Sequence, residues 1–274
     1  FNGLFADQVD TYLEHNITPI LNDLSQVAVW QGRSEPCAIH FDTGINRLGL
    51  TVPETEQFLN TNHGLNISLM LSHLIRSDEP DHPTNGDQLK QFQKINDALP
   101  DIPASLCNSA GIYLGPDYHF DMLRPGIMLY GGNPGLPNRP DGIKQAFEVH
   151  ARILQIRELE IGMTVGYNAY WTAKRPSRVA ILNVGYADGL LKTSDRNAYV
   201  FVGGHMAQVI GKVSMDMIAI DITDGKFNKV SIVDFAEVIG TNITLEKVAE
   251  NSTLSHYELL TGIGGRYTKN YKMV

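Results

Sequence analysis

Two tyrosines in one stretch carry the first chemical signal. Tyr167 and Tyr186 each follow a glycine, Gly166 and Gly185, and an apolar run over residues 179–184 lies between them. A glycine lets the backbone bend, or approach a ligand where a side chain would block it. A tyrosine after such a turn can project its hydroxyl as an acid, a base or a phosphate donor. The structural alternative is a pair of strand-end tyrosines packed at a rim.

Other polar groups gather in short clusters. Residues 40–49, HFDTGINRLG, read as a strand end, a glycine turn and an arginine facing back over the mouth. The Arg47 fork matches the two oxygens of a small carboxylate, although an Arg47–Asp42 pair bracing the loop uses the same residues. Asn108-Ser109-Ala110-Gly111 could offer N–H groups and a hydroxyl to a phosphate, or cap the following helix. Arg124-Pro125-Gly126-Ile127 adds a guanidinium and a permissive glycine. His73 closes an apolar run, either as a satisfied core histidine or as a partner of a nearby arginine or tyrosine. Residues 211–216, GKVSMD, form a strand-to-loop passage whose backbone could meet a substrate, with Met215 and Asp216 at its end. No Ser-His-Asp order, metal-ligand spacing or nucleotide-binding glycine loop emerges, which leaves hydrolase and Rossmann readings without support.

The elements that must position these groups change type midway. Up to residue 140, strand candidates at 17–21, 37–42, 67–73, 104–108 and 122–129 alternate with helix candidates at 7–15, 24–31, 53–60 and 88–98. In the last of these, Leu89, Phe92, Ile95 and Leu99 recur at helical spacing. This alternation is the signature of a parallel α/β sheet or barrel. The polar clusters fall at the C-terminal strand ends, where such folds bind ligands. A closed barrel needs eight units and about 250 residues. Five are countable, with a sixth if residues 1–5 are a strand end, so the front of a barrel is expected to be missing. Residues 131–142, with three prolines and four glycines, mark a boundary. Beyond it, strands are expected at 149–159, 178–184, 198–202, 206–210, 217–222 and 229–233, with helices at 245–249 and 254–260. That texture suggests a small β domain.

Composition narrows the field. The 274 residues are 43% hydrophobic and 19% charged, as in an ordinary globular chain, with a formal net charge of −8. An acidic chain without a basic run argues against nucleic acid as partner. The longest apolar stretch, 67–75, is broken by Ser68, Ser72 and His73 and is too short to span a membrane. Cys37 and Cys107 lack metal or redox spacing; buried, reduced thiols are expected, as suits a cytoplasm. The chain opens on Phe1 without an initiator Met or a signal peptide, and a fragment is expected.

Together the motifs resemble alanine racemase, the pyridoxal-phosphate enzyme that interconverts L- and D-alanine and supplies D-alanine for peptidoglycan. The matches are HFDTGINRLG (40–49), SHL (72–74), CNSAG (107–111), RPGIMLYG (124–131), VGYNAYWTA (165–173), VGYADG (184–189) and GKVSMD (211–216). They occur in the family's order and near its spacing across most of the chain. The resemblance implies a (β/α)8 TIM-like barrel over residues 1–140, its first units absent, and a β-rich domain over 141–274. It also implies a homodimer whose sites combine one subunit's barrel with its partner's β domain. Tyr167 matches the catalytic base on the L face and Tyr186 the second tyrosine lining the site. Arg47 matches the arginine on the substrate carboxylate, and Met215 the residue whose backbone holds the same carboxylate. Arg124 matches the arginine facing the pyridine nitrogen, with His73 the histidine hydrogen-bonded to it. Ser109, Gly126 and Ile127 fall on cofactor-phosphate positions.

Three departures qualify the match. The lysine that carries the cofactor, in a V-x-K-A-(Asn/Asp)-A-Y-G motif, is not among these residues, so the chain alone is expected to be inactive. His40 stands where some members carry a carbamylated lysine seven residues before the carboxylate arginine. It could brace Arg47, with a charge expected to follow pH. The C-terminal phosphate tyrosine is displaced, so that Gly265 or Tyr267 falls there. Racemases of other small amino acids such as serine, and a non-catalytic cofactor-binding or dimer-forming remnant, are the alternative readings.

Overall fold

The computed structural model describes residues 2–138, 140–190 and 198–272. Two compact units account for them: residues 1–128 with 134–140, and residues 129–133 with 141–274.

The first unit is built on four parallel strands in the order β1 (Ile20–Leu21), β2 (Pro36–His40), β3 (Asn66–Leu71) and β4 (Ala104–Ser105). Helices α1 (Val9–Glu14), α2 (Leu24–Trp30), α3 (Val52–Leu59) and α4 (Pro83–Ala98) alternate with them. Local chemistry sets their starts. The Asp23 carboxylate accepts from Gln26 N at 2.9 Å to cap α2, and Glu54 accepts from Thr51 N at 3.0 Å to close a capping box on α3. Pro83 opens α4 at a position whose missing N–H costs nothing, which starts this helix ahead of the periodicity-based expectation of residue 88. Phe92 and Ile95 of α4 pack with Leu21, Ile39, Phe41, Met70 and Leu106 in one core.

Two expectations fail here. Residues 122–129 form no strand. Pro125 and Gly126 interrupt the run, which ends in a 3-10 turn at Ile127–Tyr130. Residues 2–5 carry no strand either, and Phe1 lies outside the described residues.

In the second unit six strands close an antiparallel barrel: β5 (Val149–Leu159), β8 (Ser177–Leu182), β9 (Tyr199–Val202), β10 (His205–Ile210), β11 (Ile218–Asp221) and β12 (Phe235–Ile239). Closure leaves no long edge to pair with another chain. Val149, Ala151 and Ile153 alternate inward along β5 and meet Ala180, Leu182, Val209 and Ile220 in the barrel core. Helices α5 (Leu245–Ser252) and α6 (His256–Gly262) bring Leu245, Ala249 and Leu259 onto it. The strand expected at 229–233 is instead a turn. Ser231 N donates to the Asp234 carboxylate at 2.8 Å while Asp234 N donates back to Ser231 O, and pairing begins only at Phe235. A separate two-stranded ribbon, β6 (Thr164–Val165) with β7 (Trp171–Thr172), carries residues 166–170 at its tip. No helix among the described residues is long and apolar enough to cross a membrane.

Candidate active site

The first unit gathers its polar groups where β2, β3 and β4 end. Arg124 sits at the centre. Its Nη1 donates to Ser105 O at 2.9 Å and Ser105 Oγ at 2.5 Å, and its Nη2 to Ser72 O at 2.6 Å. A guanidinium thus ties together the ends of neighbouring strands, and burial lowers its pKa to about 10, leaving it a cation at neutral pH. His73 follows β3. Burial first, then the charges of Arg124 and Arg47, push its imidazole down to about 4, so it is neutral. Arg124 and His73 are therefore near enough to interact by charge, and no hydrogen bond of the His73 ring occurs among the described residues.

Gln88 of α4 rivets the neighbouring turns from beneath. Its Nε2 donates to Thr43 Oγ1 at 3.0 Å and to His73 O at 2.9 Å, its Oε1 accepts from Ile75 N, and Thr43 shares a 2.7 Å hydroxyl bond with Ser72. Buried polar groups tied this way fix a loop more firmly than apolar packing alone. Gln88 carried no chemical signal in the sequence.

Arg47 itself is exposed and makes no hydrogen bond or ion pair among the described residues. The bracing pair with Asp42 does not form, because the Asp42 carboxylate accepts from Gly44 N at 2.8 Å and Ile45 N at 2.9 Å instead. His40 is the last residue of β2 and is buried. Burial, Arg124, His73 and Arg47 outweigh the opposing Asp42 and lower its pKa to about 4, so its charge does not vary around neutral pH as expected.

Residues 108–111 put their two polar side chains to different uses. Asn108 Oδ1 accepts from Gly111 N at 2.9 Å, where the 3-10 turn Gly111–Leu114 begins. Ser109 Oγ accepts from Gly126 N at 2.8 Å, which joins this segment to the one after Arg124 and leaves the hydroxyl proton to donate. A Cβ at Gly126 would meet nothing within 4 Å, and Ile127 beside it is buried. Cys37 and Cys107 are free, buried and pushed up to about 11 by burial.

The second unit brings its tyrosine motifs onto separate features. Tyr167 sits at the tip of the β6–β7 ribbon with 69% of its surface exposed. Gly166, Asn168 and Ala169 there have φ of 77°, 57° and 50°, a left-handed run that non-glycine residues adopt only at a cost. Tyr186 begins a 3-10 turn, Tyr186–Asp188, that is zipped to the 211–216 segment: Tyr186 N donates to Ser214 O at 3.0 Å and Ala187 N to Met215 O at 2.9 Å. Met215 is 53% exposed, and its own N–H has no acceptor among the described residues.

Arg266, unremarked in the sequence, clamps this pair of segments. Its Nη1 reaches Asp216 at 2.6 Å and its Nε reaches Asp188 at 3.3 Å, while the other Asp188 oxygen accepts from Gly185 N at 2.9 Å. Tyr267, expected at a cofactor phosphate, packs against the barrel core and donates its hydroxyl to Asp188 O at 3.1 Å. Burial and then Asp188 raise it to about 12, so it is a protonated donor. An acidic residue in the GYADG motif was the available clue to this clamp.

Comparison with known proteins identifies the class. Residues 1–134 match the family described as "Alanine racemase, N-terminal domain" and residues 146–271 the one described as "Alanine racemase, C-terminal domain". An alanine racemase of Rickettsia bellii is 39% identical over 98% of this chain and 68% of its own length, and that of Rickettsia canadensis 41% identical over 98% and 77%. Among solved structures, an alanine racemase from Bartonella henselae with covalently bound pyridoxal phosphate superposes with a TM-score of 0.90. It is 34% identical, over 99% of this chain and 78% of that one. The biosynthetic alanine racemase of Pseudomonas aeruginosa gives 0.86 at 30% identity, over 100% and 78%. The chain belongs to the alanine racemase family. The parallel sheet and the antiparallel barrel accordingly belong to a TIM-type barrel domain and a β-rich C-terminal domain.

Proposed function

We propose that this chain carries the barrel and β-domain parts of an alanine racemase site that interconverts L- and D-alanine with pyridoxal 5'-phosphate. Residues 1–140 are assigned to the barrel and 141–274 to the β domain. The observation that carries the reading is the strand-end cluster of a half-buried cationic Arg124, two neutral histidines and an unengaged Arg47. Such a set suits an anionic cofactor and a carboxylate substrate better than any packing role.

The residues present fit the cofactor. Ser109 has a hydroxyl proton to give a phosphate oxygen, Gly126 leaves open space beside it, and Ile127 continues the same turn. Arg124 would face the pyridine nitrogen, where its charge opposes a second cation. When bound, pyridoxal phosphate supplies the electron sink that acidifies the substrate α-carbon.

The protein's own groups do the rest. Arg47 would grip the substrate carboxylate with its fork, and the Met215 N–H would add a donor. Tyr167 would take or return the α-proton at its phenolic oxygen on the L face, a role that needs a cationic neighbourhood to make a phenolate accessible near neutral pH. Tyr186 would line the site, and Asp216, through Arg266, would hold the Met215 turn in place. Tyr267 would brace that turn through Asp188.

A cytoplasmic homodimer, each site joining one subunit's barrel with its partner's β domain, is the proposed working form. The exposure of Tyr167 and Met215 supports it, since residues meant for a partner's site stand clear of their own subunit. Steady-state turnover of L-alanine and L-serine by the purified natural protein, saturated with pyridoxal phosphate, tests the reading. Alanine racemisation well ahead of serine is expected. Full cofactor occupancy with no turnover of either amino acid would sink the assignment.

A further inference from the structure

The tip that carries Tyr167 is held by little of its own. Strands β6 and β7 are two residues each, and a two-stranded ribbon alone is at best marginally stable. Gly166, Asn168 and Ala169 lie in the left-handed region, and such a run persists only where its surroundings hold it. Among the described residues no hydrogen bond ties residues 166–169 to the barrel.

Residues 210–212 supply the support. Val165 and Trp171, paired across the ribbon, pack with Ile210 at the end of β10. Gly211, at φ +71°, lies so close that a Cβ there would stand 3.0 Å from Val165 O, and a Cβ on Gly166 would stand 3.2 Å from Lys212 N. The two glycines let main chain touch main chain at the foot of the tip. One residue on, the half-buried Lys212 sets its Nζ 5.4 Å from the centre of the Tyr170 ring, inside the range of a cation–π contact. That ammonium forms no ion pair among the described residues. The far end of the same segment is fixed: Ser214 O and Met215 O accept from Tyr186 N and Ala187 N, and Arg266 holds Asp216. One short segment thus reaches the Tyr167 tip at Lys212 and presents the Met215 N–H further along.

We propose that Lys212 is a positioning residue for the α-proton transfer: its ammonium clasps the Tyr170 ring and so fixes the Tyr167 phenol relative to the Met215 turn. The proposal rests on the reading of Tyr167 as the base on the L face. An exposed contact of this kind is modest by itself, about two- to fivefold in an equilibrium. Its leverage comes from geometry, because a reacting group displaced by about 1 Å can lose about 100-fold in rate.

The test uses the full natural protein with pyridoxal phosphate bound. In α-hydrogen exchange begun separately from L- and D-alanine, Lys212→Met should slow exchange from L-alanine about tenfold and leave exchange from D-alanine within about twofold. Tyr170→Leu should do the same, and the double variant should be no slower than either single one. Lys212→Arg and Tyr170→Phe, which keep the cation and the ring, should stay within about twofold of the parent. Backbone hydrogen–deuterium exchange across residues 162–173 should quicken several-fold in Lys212→Met, with or without alanine. Unslowed exchange from L-alanine in Lys212→Met, equal losses from both enantiomers, or no recovery in Lys212→Arg would overturn the clasp. Absence of exchange from either enantiomer in the unsubstituted protein would overturn the racemase reading instead, and the backbone exchange would then decide whether Lys212 holds the ribbon. If Lys212→Met failed to fold, Tyr170→Leu would make the same comparison.

Discussion

Gly185 and Met215 meet backbone to backbone: a Cβ on Gly185 would stand 2.3 Å from the Met215 carbonyl oxygen and 2.4 Å from that of Ser214. The glycine of the GYADG motif therefore permits the turn bearing Tyr186 to be zipped to the turn bearing Met215. Gly185→Ala should destabilise the protein by about 3 kcal/mol, because main-chain atoms on both sides cannot give way. Gly126→Ala meets no atom and should leave the thermal midpoint nearly unchanged while weakening retention of pyridoxal phosphate. Thermal unfolding and cofactor titration of the two variants separate these effects, and equal midpoints would contradict the close approach.

Arg266 bridges Asp188 and Asp216 at a half-exposed position. Solvent screens the guanidinium strongly, so Arg266→Gln should lower stability little. Its expected effect is on function: a several-fold rise in the KM for alanine, as the Met215 turn loses its clamp. High salt should reduce the difference between variant and parent. A large drop in thermal midpoint with unchanged KM would mean that the clamp serves the fold alone.

Acid should loosen the strand-end cluster. His40 and His73 fall from 6.5 to about 4 on folding, chiefly through burial. Between those values the unfolded chain binds protons that the folded chain refuses, so stability is complete above about pH 6.5 and declines as pH falls toward 4. Each histidine accounts for a penalty on the order of 3 kcal/mol once fully titrated, and because the charge of His73 bears on His40 the two penalties do not simply add. Urea midpoints measured at about pH 7.5 and about pH 4.5 should differ accordingly, and His73→Asn should narrow the gap. A midpoint independent of pH over that range would contradict the buried neutral state.

Much of this was legible in the sequence because local rules agreed with the fold. The Val149–Leu159 strand keeps its expected bounds and alternates inward over Val149, Ala151 and Ile153, and the helices α2 and α3 start at recognisable caps. Boundaries shifted where side-chain turns intervened, as at Asp234, which moved the last strand to Phe235–Ile239. The strand-end clusters announced themselves by residue type. Their partners did not. Asn22 gains meaning only through strand register, since parallel pairing of Ile20 with Ala38 and Leu21 with Ile39 brings the next residues, Asn22 and His40, side by side. Gln88 and Arg266 reach their partners across 45 and 50 residues of chain, distances over which periodicity carries no information.

On the proposed reading Tyr167 handles the α-proton on one face of alanine. The direct measurement is α-hydrogen exchange with deuterated solvent in the full natural protein, begun separately from L- and from D-alanine, with Tyr167→Phe compared to the parent. Removing the phenol should suppress proton abstraction from L-alanine by roughly 100-fold or more, the scale of a lost general base, and spare abstraction from D-alanine. Equal and modest losses with both enantiomers would contradict the assignment of Tyr167 as the base on the L face.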